Sequence, residues 1–331
     1  MHGELVIPGL FAAPATARLP AAELLFARGR CTSGPSQSLE AWLNDAFGLA
    51  DEPVAAGALS LLAAGREPGD DLWTRADPVH LRLMRDRLVL VPPAALRIAR
   101  EEAEALLGAL NEHFGDRLAL QSIDERRWIA RLSAPMELAG QAPLLLAGCD
   151  VAGALPSNAA SPAHQLLNEA QMVLHAHPVN EAREARGEPP LNSIWLWGAG
   201  RAAQVAAPRW QSVSAAEPVA LGLARAAGIQ GRAAAANAHV WLDRLPQDGR
   251  HLAVLDGLRV PRALSEDGEY QEALAHLERD WFAPLLARLR EGRIGMLTIH
   301  VPDAGECLAY ETIRGDLRRF WRRPKALEHY A

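Results

Sequence analysis

Cysteine is scarce in this chain, and what there is cannot be paired by pattern. Cys31, Cys149 and Cys307 are odd in number, far apart and never in a C-x-x-C arrangement. Neither a disulfide framework nor a zinc knuckle is indicated, and a reducing compartment is expected. No apolar run approaches the roughly 20 residues that span a bilayer. Met1-His2-Gly3-Glu4 lacks the charged and apolar regions of a signal peptide, so a soluble, cytoplasmic protein with no membrane partner is expected. Excess positive charge is missing as well. A formal charge of −6 offers no overall attraction to phosphate backbones, which disfavours nucleic acid as a partner. The segment Arg318-Arg319-Phe320-Trp321-Arg322-Arg323-Pro324-Lys325 is a local exception, and its expected role is a solvated helix end. Internal repeats and low-complexity tracts are absent.

What is present is an ordinary globular composition, 49% hydrophobic and 22% charged over 331 residues. That length allows two domains, or one with a large insertion. Glu4-Leu5-Val6-Ile7 forms a strand pattern closed by the turn pair Pro8-Gly9. Helical patterns follow at 21–27, 39–47 and 54–64. After Glu67-Pro68-Gly69-Asp70-Asp71 the texture changes. A strand at Leu88–Val91 leads to a helix over 93–114, whose Ala103, Leu106, Leu107, Leu110 and Phe114 share one face. Strand-like runs follow at Arg127–Leu132 and Pro143–Ala147. From Pro162 onward, helices at about 162–176, 215–227 and 270–290 alternate with strands at 192–197, 239–242, 251–255 and 295–301. The pattern predicts an α/β core with a mostly parallel sheet over 1–65 and 160–331, interrupted by an α+β domain over 66–159.

Polar residues concentrate in two places. In His175–Gly200 a helix end, a polar loop and an apolar strand meet a glycine turn. Arg183 and Arg186 could grip a carboxylate or phosphate, with His177, Asn180 and Asn192 adding directional hydrogen bonds. A scaffold role is the even alternative, and Trp195 and Trp197 are expected to be core. The second concentration is His80 with Asp77, Arg82, Arg85 and Asp86, either an acid-base or anion-binding patch or a salt-bridged hairpin. His239 with Asp243, His251 with Asp256, and His300 with Asp303 could hold zinc or manganese, although scattered surface residues would look the same.

Several runs together carry a family resemblance. His-Pro-Val-Asn at 177–180, Arg183, Gly187, Pro190 and Asn192, then an apolar strand and Gly-x-Gly, resemble the archaeal-type cofactor-independent phosphoglycerate mutases. Pro68–Asp77 and Met84–Arg87 are similar to the beginning of that family's inserted substrate domain. Arg75–Leu81, Leu167–Met172 and Asn192–Gly198 look like a bacterial group within it, also known as pathogenicity-factor-type regulatory proteins. The resemblance is dense over about 60–230 and thin elsewhere.

It implies an alkaline-phosphatase-like core, with Arg75 and Arg87 in the places of substrate-binding arginines. It also implies a Ser or Thr nucleophile between two divalent metals, which lower the hydroxyl pKa and neutralise phosphoryl charge. The chain departs from that pattern. Pro8 stands where the family has its first metal-ligating Asp, and no Gly-Ser-Asp nucleophile occurs. Ser33, Ser36 and Ser38 fit a turn and a helix cap, and Ala304 replaces a ligand His beside Asp303. Two readings follow. One is a degenerate, non-catalytic or repurposed protein binding a small anionic metabolite or a protein partner. The other is an active metal-dependent mutase or phosphatase using Mn or Zn, with His300, Asp303 and Asp256 as weak metal candidates.

Overall fold

The elements alternate in the order that helix and strand patterning demands. The computed structural model describes all residues except 137, 139, 157, 159, 160, 206–208, 303 and 304; the expected metal candidate Asp303 therefore lies outside the described residues. In chain order the elements are β1 (His2–Val6), α1 (Pro20–Arg28), β2 (Arg30–Pro35), α2 (Leu39–Ala46) and α3 (Ala56–Ala63). Next come β3 (Leu72–Met84), β4 (Arg87–Val91), α4 (Arg100–Phe114), β5 (Leu118–Asp124) and β6 (Arg127–Leu132). Then follow α5 (Pro162–His175), α6 (Pro178–Ala185), β7 (Ser193–Gly200), β8 (Ser212–Ala215), α7 (Pro218–Ala226) and β9 (Gln230–Ala233). The remainder is α8 (Ala238–Asp243), β10 (Arg250–Val254), α9 (Arg259–Ala263), α10 (Asp267–Leu277), α11 (Ala283–Glu291), β11 (Met296–Val301) and β12 (Glu306–Ile313). Helices α1, α5, α6 and α7 each begin on a proline, the position where its missing N–H costs no hydrogen bond.

The chain forms two units, Met1–Asp51 with Gln204–Ala331, and Glu52–Ala203. In the first, a seven-stranded sheet runs β2-β12-β11-β1-β10-β8-β9. Strands β11, β1, β10, β8 and β9 are parallel, and β12 and β2 close one side antiparallel. One face is packed by Leu5, Ile7, Ala253, Leu297 and Ile299 against Leu25 and Phe26 of α1 and Leu285 and Leu289 of α11. This is the mixed α/β class with a largely parallel sheet that the sequence leads one to expect.

The second unit is an antiparallel five-stranded sheet, β4-β3-β6-β5 with β7 also on β3. The expected face of α4 (Ala103, Leu106, Leu107, Leu110, Phe114) packs there against Leu118, Leu120 and Trp128, together with Leu167, Ala170 and Leu174 of α5. The unit extends beyond 66–159 because α3, α5, α6 and β7 belong to it. Helix α3 approaches β3 so closely that a Cβ on Gly57 would lie 2.5 Å from Thr74 backbone atoms, and one on Gly198 would meet Ala56 at 2.5 Å. Only glycine permits that packing.

Other differences are local. Residues 239–242, expected as a strand, form α8, because Asn237 caps Val240 N and Trp241 turns inward onto Trp281. Pro143–Leu146 is a short 3₁₀ turn, and the helix expected from 93 begins at Arg100. The long helix expected over 270–290 is broken by a π turn at Glu278–Phe282.

Candidate functional site

Strand β7 ends at a glycine turn, but it lies in the antiparallel sheet and not at the carboxyl edge of the parallel one. The polar side chains around it are occupied by the fold. Asn180 donates to the carbonyls of Leu174 (2.7 Å) and Leu191 (3.0 Å) and accepts from Leu191 N (2.8 Å). Asn192 clasps Leu81 in the same way, accepting from its N at 2.7 Å and donating to its O at 2.9 Å. Arg183, buried on α6, donates to the carbonyls of Pro189 (2.9 Å) and Arg97 (2.8 Å) and to Glu102 (2.6 Å). Arg186 is exposed and pairs with Glu102 and Glu188. His177 caps α6, its Nδ1 accepting from Val179 N at 3.2 Å. Asn180, Asn192 and Arg183 thus hold the junction together, while Arg186 stays exposed at its surface.

On β3, Arg75, Asp77 and His80 are engaged as well. Asp77 Oδ1 accepts from Arg75 Nη2 (2.6 Å), Arg75 Nε (3.1 Å) and Trp128 N (3.3 Å), while Oδ2 accepts from Trp197 Nε1 (2.8 Å). Arg75 also donates to Ser60 (3.3 Å) and lies 5.3 Å from the Trp197 ring centre. Burial pushes the Asp77 carboxyl up, against the pull of Arg75 and Trp197. His80 faces the Pro190 carbonyl at 3.0 Å, and burial lowers its pKa. Arg82, Arg85, Asp86 and Arg87 lie exposed at the β3–β4 hairpin, where no ion pair forms among the described residues. Trp195 and Trp197 are core, as expected.

Apart from Asp256, already a metal candidate, chemistry that sequence patterns did not single out gathers in the parallel-sheet unit, at the carboxyl ends of β8 and β10. In open α/β sheets this edge is where ligands bind. Glu217 follows β8 and caps α7, its Oε2 accepting from Ala220 N at 2.9 Å. Asp256 follows β10, and Arg259 begins α9. Arg259 Nη2 meets Oε1 of Glu40, on α2, at 2.7 Å, and both side chains are nearly enclosed. Glu40 Oε2 is buried without a hydrogen-bond partner among the described residues. Burial, and next the charge of Glu40, push the Glu217 carboxyl up to about 7. For Glu40 burial acts in the same direction, but Arg259 outweighs it and the pKa falls.

A second charged group lies further back on the sheet. Glu4 of β1 is buried, accepting from Arg250 Nε (2.8 Å) and facing His300 Nε2 (3.2 Å). Burial opposes its ionisation, yet the bonds from His300 and Arg250 win and hold its carboxyl at about 2. Trp42 leans on the His300 ring at 4.8 Å.

Among the described residues these donors do not assemble the ligands of a pair of divalent metals. His300 is committed to Glu4, and Glu40 to Arg259. His251 lies between Ser212 (2.9 Å) and the Asp248 carbonyl (2.9 Å), while His239 is exposed on α8. Pro8 at the end of β1 offers no ligand. Among the described residues no three metal-ligating side chains come together. A guanidinium supplies the positive charge at this edge. Ser38 caps α2, accepting from Ala41 N at 3.2 Å, and Ser33 lies in β2. The signal that could have revealed Glu217 is a carboxylate between a short strand and a proline-initiated helix. Glu40 and Arg259 carry no such mark.

Known proteins agree with this α/β description. No family model matches the chain. Its curated relatives are cofactor-independent phosphoglycerate mutase-like. The 2,3-bisphosphoglycerate-independent phosphoglycerate mutase 2 of Methanothermobacter thermautotrophicus is 30% identical over 156 residues, 44% of this chain and 36% of that protein. A probable 2,3-bisphosphoglycerate-independent phosphoglycerate mutase of Geobacter sulfurreducens is 48% identical over 42 residues, 13% of this chain and 10% of that protein. The matched stretch thus spans little more than a third of the longer-matched relative. A solved structure from Pyrococcus horikoshii shares the fold, with a TM-score of 0.59 at 16% identity over 94% of this chain and 87% of that one. The cofactor-independent phosphoglycerate mutase of Thermoplasma acidophilum superposes with a TM-score of 0.44 at 17% identity, over 95% and 90% of the two chains. Among the described residues no helix is long and apolar enough to cross a membrane.

Proposed function

We propose that this chain is a phosphoglycerate-mutase-like protein with an alkaline-phosphatase-like core that no longer performs the two-metal reaction and instead binds a partner in a regulatory role. The observation that carries this is the Arg259–Glu40 pair beside Glu217. In this reading the Arg259 guanidinium, paired with Glu40, takes the place of the divalent cations that balance charge in two-metal phosphoryl transfer. The similarity to curated mutases supports the family, and Arg75–Leu81, Leu167–Met172 and Asn192–Gly198 support the regulatory bacterial group within it. A protein partner is favoured over a small anionic metabolite. Arg75 and Arg183 would have to abandon buried hydrogen bonds to grip an anion, and each such loss costs about 1–3 kcal/mol.

The second reading, an active Mn- or Zn-dependent mutase or phosphatase, draws on two features of the same edge: the unpaired Glu40 Oε2 and a carboxyl that titrates near neutrality. An assay of 3- to 2-phosphoglycerate conversion, with Mn or Zn supplied, separates the two. The expected result is no turnover above a buffer control. Turnover that Glu217→Gln abolishes overturns the proposal.

A further inference from the structure

Phe320 and Trp321 are among the most exposed large apolar side chains described, at 77% and 66%. Their rings meet edge to face, with centroids 5.3 Å apart and planes at 81°. Isolated surface apolar residues need no explanation, but two adjacent rings inside a run of cations form a patch.

The backbone beneath them is pinned rather than loose. Asp316–Arg318 makes a 3₁₀ turn. Arg319 bonds Asp316 at 2.8 Å and the Arg28 carbonyl at 3.1 Å, and Arg322 donates to the Gly29 carbonyl at 2.9 Å. Arg28 in turn donates to the Leu317 carbonyl. Three guanidinium groups, two of them the segment's own, are therefore spent on holding it against the end of α1. The side chains of Arg318, Arg323 and Lys325 are exposed and make no ion pair among the described residues. The expected solvated helix end is instead an anchored loop that presents two rings and three cations.

We propose that Arg318–Lys325 is a docking surface for an acidic protein segment carrying apolar side chains. Aromatic and arginine side chains dominate binding energy at protein interfaces, whereas lysine alone does little. The cations select negative charge, and the rings select apolar side chains. An extended polyanion fits less well. The chain's net charge is −6 even with these cations included, so a membrane plane or long nucleic acid would face a more acidic remainder. A short acidic segment contacts the basic island alone. This gives the regulatory reading a specific partner surface and rests on that reading for its purpose.

The test uses the full chain and four defined probes in fluorescence anisotropy at low salt. They are a peptide of about twelve residues mixing Asp and Glu with Phe and Leu, its analogue with Ser for the apolar residues, a dT oligonucleotide of similar length, and phosphatidylserine vesicles. The acidic–apolar peptide is expected to bind most tightly. Phe320→Ala with Trp321→Ala, and separately Arg318→Glu with Arg323→Glu, should each weaken it at least tenfold, with circular dichroism unchanged. Lys325 is the chain's single lysine, so carbodiimide coupling of peptide carboxylates should map to it. Failure of the peptide to bind, equal binding by wild type and ring variant, or preference for the oligonucleotide or vesicles each overturns the proposal. Mutase turnover would overturn the reading above without changing any of these outcomes.

Discussion

Each unit contains a buried arginine–carboxylate pair, and the two pairs are built to different standards. In the antiparallel unit, Asp77 accepts hydrogen bonds at both oxygens and Arg75 is braced by Ser60 and the Trp197 ring. At the edge of the parallel sheet, Arg259 satisfies one oxygen of Glu40, leaves the other bare, and shares its field with Glu217. The comparison teaches how to tell scaffold from site. A closed network holds a sheet together, because any rearrangement leaves a buried charge unpaired. An incompletely satisfied one leaves a buried acceptor open, which is the feature the proposed reading of this edge draws on.

The sharpest way to break the comparison is Asp77→Ala. It strands Arg75 in the interior and should cost about 3–5 kcal/mol in urea unfolding. A loss under about 1 kcal/mol would mean the network is not structural. Glu217→Gln should act in the opposite direction. The wild-type carboxyl keeps its proton up to about 7 when folded, against an ordinary glutamate value of 4.5. The folded state therefore binds more protons between those values, and stability falls as pH rises from about 4.5 to about 7. The variant lacks that loss and should be more stable at pH 8 by up to about 3 kcal/mol. Melting curves at pH 5 and pH 8 check the sign. Gly57→Ala comes next, at about 1–3 kcal/mol lost, because its methyl would collide with β3. Smallest is Phe320→Ala with Trp321→Ala, expected to leave stability within about 0.5 kcal/mol while altering binding.

Much of the fold was legible in the sequence. Alternating helix and strand patterns, the amphipathic face of α4 and the strands at 295–301 and 251–255 all rest on local periodicity. The losses have physical causes. Val240-Trp241-Leu242 has strand composition, but the Asn237 cap and the burial of Trp241 make it helical. Strands β2 and β12 are mostly polar or half-exposed, and only pairing with each other and with β11 defines them. The candidate site was less legible. Arg183 and Asn180 stood out as polar residues, but most of their partners are backbone groups, which no side-chain pattern displays. Glu40, Glu217 and Arg259 come from three remote parts of the chain, so their meeting is a property of topology alone.

The placement of β1 governs when the molecule can assemble. It pairs with β10 on one side and β11 on the other, strands that leave the ribosome long after it. Glu52–Ala203, by contrast, pairs all its strands within one continuous stretch. Synthesis therefore delivers a complete antiparallel module while β1 still waits for its neighbours. Until residue 301 has emerged, the apolar Leu5-Val6-Ile7 run is exposed to aggregation and to chaperones.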